Sequence, residues 1–130
     1  MDEITMLQAD VLKTLANPRR LEILHRLADG PREVGRLAAE LGLPQPNVSQ
    51  HLAVLRNAGV IEAERDGREV RYRLTDPDVI VACGIMRAVL ERRLARLARL
   101  SRSLAAAPDG ATPILPEPLR LARAGQAPTN

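Results

Sequence analysis

Aromatic residues are almost absent from this chain of 130 residues, which has no Phe, no Trp and a single Tyr, Tyr72. Proteins that bind single-stranded nucleic acid usually stack the bases on exposed aromatic rings. The scarcity of aromatics therefore argues against that class. Leu, Val, Ile and Ala must supply the hydrophobic core, and these side chains suit packed helices.

Cysteine is equally rare, because Cys83 is the only one. A lone cysteine excludes a disulfide within the chain and is typical of a reducing compartment. The longest strongly apolar run, 79–86, is far shorter than the ~20 residues that span a bilayer, and the acidic start of the chain lacks a signal-peptide pattern. We therefore expect a soluble, cytoplasmic protein with no membrane partner.

Lysine is also scarce, since Lys13 is the only one among 19 basic residues and the other 18 are arginines. Sixteen acidic residues reduce the formal net charge to +3. So small an excess does not by itself indicate nucleic-acid binding. That function has to be judged from the positions of the arginines.

Apolar residues recur at helical spacing in four segments, each bounded by residues that start or stop a helix. The clearest start is Asn17-Pro18, a cap followed by a residue with no N–H to leave unpaired. Pro46 suits the first position of the fourth helix, and Gly30, Gly42 and Gly59 are placed as stops. The predicted helices cover about 4–16, 18–29, 34–41 and 46–58.

A β-hairpin is predicted after these helices. Two segments with strand character, 60–65 and 68–74, flank Asp66-Gly67, a dipeptide typical of the type I′ turn, in which both central residues have positive φ angles. Asp76 is the predicted cap of a last helix that reaches about Leu104. The apolar stripe of this helix starts at Cys83, and its opposite face carries Arg92, Arg96 and Arg99.

Prolines interrupt all periodicity beyond residue 104, so residues 105–130 are predicted to form a disordered Pro/Ala-rich tail. Residues 1–104 are predicted to form one mostly α domain of α+β class, with the order ααααββα. Two helices joined by a tight turn and followed by a hairpin have the layout of a winged helix-turn-helix. In that fold a helix fits the major groove, and an Arg-rich hairpin reaches neighbouring phosphates.

Three segments resemble the ArsR/SmtB repressors: LANPRRLEIL at 15–24, QPNVSQHLAVLRNAGVI at 45–61 and RDGREVRYRL at 65–74. The resemblance covers roughly residues 5–104. It implies a homodimeric bacterial transcription factor, usually a repressor that an inducer releases from its operator. It also implies that the first and last helices form the dimer interface.

The fourth helix turns a polar face outward when its residues are placed 100° apart. Gln and Asn side chains can read adenine edges, and Ser can serve bases or phosphates. An ordinary solvated face would have the same composition, but the resemblance favours DNA contact. The predicted major-groove residues are Gln45, Asn47, Ser49 and Gln50, with His51 at the inner margin, where packing or hydrogen bonding suits it better than base reading.

Arginines of the hairpin and of the fourth helix complete the predicted DNA-binding set. In the hairpin, Arg65, Arg68 and Arg71 are expected to contact phosphates or the minor groove of double-stranded DNA. Arg56 adds a phosphate contact from the far end of the fourth helix.

Nothing in the sequence indicates an enzyme or a cofactor. Ser49 and His51 are two residues apart on a helix and diverge by about 200°, so they cannot form a nucleophile–base pair. The Walker loop, GxGxxG and HExxH motifs are absent.

A metal site is not expected either. In the family that this chain resembles, some metal-sensing members carry a CxC motif at the start of the third helix. Others carry Asp-x-His followed by His-x-x-Glu or His-x-x-His on the last helix. Here Asp76 is retained but is explained as a helix cap. Two histidines and one cysteine on three helices cannot form a tetrahedral zinc site within one subunit. The other matching positions hold Glu33, Gly35, Asp78, Val89 and Arg92.

The main hypothesis is thus a homodimeric, sequence-specific regulator that binds double-stranded DNA and represses transcription, with an inducer that the sequence does not identify. One alternative is a thiol- or redox-responsive regulator that senses through Cys83. A thiol on an apolar stripe usually behaves as a small hydrophobe. Two Cys83 residues of a dimer could form a disulfide only if their Cα atoms lay within about 7 Å. The other alternative is a winged-helix module for protein–protein contact.

Overall fold

The computed structural model describes residues 1–106 and confirms the mostly helical class and the order ααααββα. The predicted tail lies, from residue 107 onward, outside the described residues. The elements are α1 (Glu3–Leu15), α2 (Pro18–Ala28), α3 (Val34–Leu41), α4 (Gln45–Asn57), β1 (Ile61–Asp66), β2 (Glu69–Leu74) and α5 (Asp78–Ala105).

Two predicted caps are confirmed by their hydrogen bonds. The Asn17 side-chain oxygen accepts from the backbone N–H groups of Arg19 and Arg20 at 3.0 and 3.1 Å. The Asp76 carboxylate accepts from the N–H of Asp78 at 2.9 Å. Each cap satisfies donors that a helix leaves free in its first turn, so both helices begin where the sequence predicts, within two residues.

The turn between α3 and α4 is short. Gly42 has a φ of +64°, a left-handed conformation that favours glycine, and the N–H of Leu43 donates to the Ala38 carbonyl at 3.0 Å. α4 then starts at Gln45, one residue earlier than expected, so Pro46 occupies the second helical position. This turn brings the amino terminus of α4 directly after α3.

The buried core lies between α2, α3, α4 and β1. Val48, Leu52 and Leu55 of α4 face inward as predicted. α2 contributes Ile23, which is fully buried, whereas Leu21 of the predicted stripe is only half-buried. The largest fully buried side chains are Ile23, Leu24, Leu37, Val48, Leu52, Leu55 and Ile61.

The hairpin differs from the prediction in its turn. β1 and β2 are antiparallel, with Asp66 opposite Glu69, so the two central residues are Gly67 and Arg68. Only Gly67 has a positive φ, +64°, and no non-glycine residue among those described has one. A positive φ at the first central residue alone is typical of a type II′ turn. The predicted type I′ turn centred on Asp66-Gly67 is therefore wrong.

α5 extends through two compact units, one of residues Met1–Ile85 and one that begins at Met86. In the first unit, Val79, Ile80 and Cys83 pack against the buried core. In the second, the described part of the chain is the rest of α5 and Ala106, and none of its side chains is fully buried. No helix within residues 1–106 is long and apolar enough to cross a membrane.

Candidate nucleic-acid interface

The first half of α4 presents a row of exposed polar side chains. Val48 and Leu52 fix one side of the helix in the core, so Asn47 and Gln50, about 100–160° away around the helix, point to solvent. Gln45 and Ser49 are exposed as well. Within residues 1–106 none of these polar side chains is hydrogen-bonded, so their donors and acceptors are open to a ligand. The exposed residues are Gln45, Asn47, Ser49 and Gln50.

His51 and Arg56 occupy different surroundings on the same helix. His51 is half-buried, which agrees with the boundary position that the helical wheel predicts. Arg56 is exposed in the last turn of α4, and it makes no ion pair with any residue that the structure describes. Its guanidinium is therefore open to solvent at the opposite end of α4 from Gln45.

The tip of the hairpin carries two exposed arginines, Arg65 and Arg68. Neither forms an ion pair within the described part of the chain. Arg71 differs, because its Nη2 lies 3.3 Å from the Glu69 carboxylate. Of the three hairpin arginines predicted to contact phosphates, one is paired with a carboxylate and two have no acidic partner in the described part of the chain.

One face of the hairpin, which we call the outer face, is lined only by charged residues. Strand alternation places them together, and four acidic residues against two arginines give this face a formal charge of −2. Arg73 bridges two of the acids, at 2.7 Å to Glu62 and 3.1 Å to Glu64. The hydrogen bond to Glu62 and the charge of Glu64 raise the pKa of Arg73. The outer face consists of Glu62, Glu64, Asp66, Glu69, Arg71 and Arg73.

Sequence reasoning missed this outer face because it considered the arginines without their partners. The signal was present: in a hairpin around Gly67, Arg73 lies opposite Glu62 and Arg71 opposite Glu64, and opposite charges in such cross-strand pairs attract. DNA phosphates would be repelled by the acidic outer face. The tip is therefore the part of the hairpin that suits phosphate contact.

Arg32 contacts both the hairpin and α3, and the sequence did not predict either contact. Its backbone pairs with Tyr72 of β2 as an isolated antiparallel bridge. Its largely buried side chain donates from Nη1 to the Gly30 and Pro31 carbonyls at 3.0 and 3.1 Å. Its Nε also lies 3.4 Å from Glu40 of α3. Arg32 thus connects the start of the helix-turn-helix with the hairpin.

Glu40 is held by two arginines. Arg36 donates to its carboxylate at 2.9 Å, and Arg32 approaches the same oxygen. Burial acts to raise the pKa of Glu40, but the hydrogen bond from Arg36 and the charges of Arg32, Arg36 and Arg26 outweigh it and lower the pKa. The carboxylate is therefore stabilised in its charged form.

The residues at the family's metal-ligand positions and Cys83 do not form a common site in the described residues. Glu33 caps α3 without a side-chain hydrogen bond, and Asp78 lies in the first turn of α5. Nowhere in residues 1–106 do three His, Cys, Asp or Glu side chains come together in a group that could hold a metal ion. Cys83 is half-buried against the core of the first unit.

A helix-turn-helix with an exposed polar second helix, followed by a hairpin with an arginine tip, defines a winged helix-turn-helix DNA-binding protein. A family model described as "Bacterial regulatory protein, arsR family" matches residues 17–63. This match runs from the cap of α2 to the start of β1. It includes the complete helix-turn-helix.

Individual relatives extend the match. The uncharacterized HTH-type transcriptional regulator Rv0081 of Mycobacterium tuberculosis is 44% identical over 89 residues, which are 68% of this chain and 78% of that protein. Its crystal structure aligns with a TM-score of 0.67 and 39% identity, covering 75% of this chain and 99% of the other. The chain therefore belongs to the arsR family. It is a DNA-binding transcriptional regulator and not an enzyme.

Two further relatives carry more specific descriptions. The homodimeric winged helix-turn-helix DNA-binding domain of Mb0332 from Mycobacterium bovis, described as a possible ArsR-family regulator, aligns with a TM-score of 0.65 and 35% identity, covering 70% of this chain and 84% of the other. The HTH-type transcriptional repressor SmtB of Mycobacterium tuberculosis is 47% identical over 74 residues, which are 57% of this chain and 55% of that protein.

Proposed function

We propose that this chain is a homodimeric repressor that binds double-stranded operator DNA and reads its sequence with the first half of α4. The observation that carries the proposal is the exposed set of polar side chains on α4, because its amide and hydroxyl groups make no hydrogen bond within residues 1–106 and lie at the amino-terminal end. In helix-turn-helix proteins that end of the second helix contacts base edges in the major groove. The set consists of Gln45, Asn47, Ser49 and Gln50.

Arginines supply the contacts that position the protein without reading sequence. Arg65 and Arg68 at the hairpin tip and Arg56 at the end of α4 are exposed and unpaired within the described residues, so they bind phosphates at no loss of an existing ion pair. Arg71 first has to leave Glu69. His51, being half-buried, supports α4 from its margin and contributes at most a contact at the edge of the interface.

Exposed apolar side chains support the homodimer. Large apolar residues of α1 and α5 have half or more of their surface open to solvent, which is unusual for a chain that functions alone. A two-fold dimer would cover such surfaces, and the relative Mb0332 is described as homodimeric. The most exposed of these residues, beyond Met1, are Ile4, Met6, Leu7, Val81, Ile85, Met86, Leu90, Leu94 and Leu100.

The proposal also includes repression without the metal sites of the family. The names of relatives support repression, since SmtB of Mycobacterium tuberculosis and the biofilm growth-associated repressor of Xylella fastidiosa are both called repressors. The residues at the metal-ligand positions support the second part, because Gly35 and Val89 carry no donor atom and Arg92 would repel a cation.

Selection of bound sequences from a random duplex library tests the proposal. We expect an imperfect inverted repeat whose half-site centres lie about one helical turn apart, or a multiple of it. Sedimentation of the complex should show two chains per duplex, and insertion of this sequence between a promoter and a reporter should lower transcription when the protein is present. No enriched sequence, or one chain per duplex, would contradict the proposal and favour a protein-interaction module.

A further inference from the structure

The charges of this chain are unevenly distributed. Residues 1–85, which contain the complete winged helix-turn-helix, carry eleven basic and thirteen acidic residues and so have a formal net charge of −2. Residues 86–106, the second part of α5 and Ala106, carry six arginines and one glutamate, a net charge of +5. The excess positive charge of the described chain therefore lies outside the winged helix-turn-helix.

Three of these arginines form one face of α5, which we call the arginine face: Arg92, Arg96 and Arg99. Their spacing of four and three residues places them on one side of the helix, along about 10 Å of its axis. Together with Ala95 they line a shallow, open depression of about 470 Å³ on the surface of the helix.

The arginine face is free of acidic partners among the residues that the structure describes. The one glutamate of this part of the helix, Glu91, is engaged by Arg87, whose Nε lies 3.0 Å from its carboxylate. Within residues 1–106, Arg92, Arg96 and Arg99 form no ion pair, and all three are exposed. Three like charges at this spacing repel one another, and a polyanion would relieve that repulsion.

We propose that the arginine face is a second DNA-binding surface, which contacts the phosphate backbone of duplex DNA without reading its sequence. Guanidinium groups bind phosphates through paired hydrogen bonds. The winged helix-turn-helix itself is net negative, so attraction to DNA at a distance has to come from the part of the chain that holds the positive charge. This inference goes beyond the proposed operator recognition by α4 and does not depend on which sequence α4 reads.

The salt dependence of DNA binding tests the inference. The full-length Arg92→Gln/Arg96→Gln/Arg99→Gln variant should lose between about one and three units from the slope of log K against log salt, at about 0.9 per lost phosphate contact. The loss should be equal on operator and unrelated duplexes, so that the preference between them is unchanged. The Arg92→Lys/Arg96→Lys/Arg99→Lys variant should retain most of the slope, because it keeps the charges.

The matched control removes three positive charges elsewhere, in Lys13→Gln/Arg19→Gln/Arg26→Gln, and should keep a slope close to that of the wild type. Sedimentation of every variant checks that the assembly state is retained. An unchanged slope in the glutamine variant of the arginine face, or an equal loss in the control, would overturn the inference. Should the triple variant not fold, Arg96→Gln alone should lose about one unit, and an unchanged slope there overturns the inference as well.

The two proposals fail separately. A wild-type protein that binds all duplexes equally contradicts operator recognition, yet its slope still measures the contribution of the arginine face. A wild-type protein that prefers an operator, combined with a triple variant of unchanged slope, contradicts only the second DNA-binding surface.

Discussion

Arg32 and Tyr72 exchange two backbone hydrogen bonds, 3.0 Å from the N–H of Arg32 to the Tyr72 carbonyl and 2.8 Å from the N–H of Tyr72 to the Arg32 carbonyl. This pair adds a third backbone segment beside β2. Because Arg32 precedes α3 by two residues and its side chain approaches Glu40 at the other end of α3, the same residue orients both the helix-turn-helix and the hairpin.

The charged state of Glu40 should contribute to stability. Its pKa lies below the ordinary value of 4.5 in the folded protein, because the arginines around it outweigh the effect of burial. A lowered pKa stabilises the fold at pH values above the unfolded pKa, and this contribution is lost as the pH falls through the folded pKa. The Glu40→Gln variant should therefore have a lower free energy of unfolding near neutral pH. This free energy should also fall less than that of the wild type as the pH is lowered.

Urea denaturation of wild type and Glu40→Gln between about pH 7 and about pH 3 measures this difference. Glu22→Gln is the control, since Glu22 is also paired with an arginine, at 3.3 Å, but on an exposed surface where such pairs contribute little. If the free energy of unfolding depends on pH in the same way in both variants, the stabilisation is wrongly assigned to Glu40.

Glu69 should weaken DNA binding by holding Arg71. In Glu69→Gln the ion pair at 3.3 Å is lost, and one negative charge leaves the outer face of the hairpin. We expect tighter binding to all duplexes and a salt slope that steepens by up to about one unit. Fluorescence anisotropy at several salt concentrations measures both. Glu22→Gln frees Arg19 instead, and an equal gain in that variant would show that general charge, and not Arg71, is responsible.

Metal ions should not act as inducers. Arsenite needs thiolates, and zinc and cadmium need several thiolate, imidazole or carboxylate ligands together. Apart from Asp76, only Glu33 and Asp78 of the family positions carry such a group, whereas Gly35, Val89 and Arg92 do not. Stoichiometric amounts of each should leave the operator complex intact in an anisotropy titration. Release that saturates with metal and is reversed by a chelator would contradict this expectation.

Cys83 should act as a packing residue. It is half-buried against the core of the first unit, and a thiol in that position behaves as a small apolar group. Wild type and Cys83→Ser should have the same operator affinity before and after treatment with peroxide, polysulfide or diamide. Release of the wild type alone after treatment would instead identify Cys83 as a thiol sensor.

Local signals in the sequence predicted the helices well. Asn17 caps α2 and Gly42 ends α3 because each position needs a particular side chain or φ angle, whatever the rest of the protein does. The inward face of α4, with Val48, Leu52 and Leu55, follows from helical geometry alone. The outward positions of Asn47 and Gln50 follow in the same way, which is why their exposure could be predicted.

The features that were missed depend on contacts between distant residues. The pairing of Arg32 with Tyr72 joins positions forty residues apart, and no local pattern marks it. The turn at Gly67-Arg68 is set by the register of the whole hairpin, so the dipeptide Asp66-Gly67 alone did not identify it. Ile23 is fully buried although the predicted stripe of α2 leaves it out. The pairing of Arg71 with Glu69 is different, because the two residues are only two positions apart on the same face of β2 and a strand reading could have found it.

The most direct test of the central claim, that the first half of α4 reads base sequence, compares Gln50→Ala and Asn47→Ala with Arg68→Gln on operator and unrelated DNA. The two α4 variants should lose about 1–3 kcal/mol of binding free energy on the operator only. Arg68→Gln should weaken binding to both duplexes alike. Equal losses on both duplexes in Gln50→Ala and Asn47→Ala would contradict the claim.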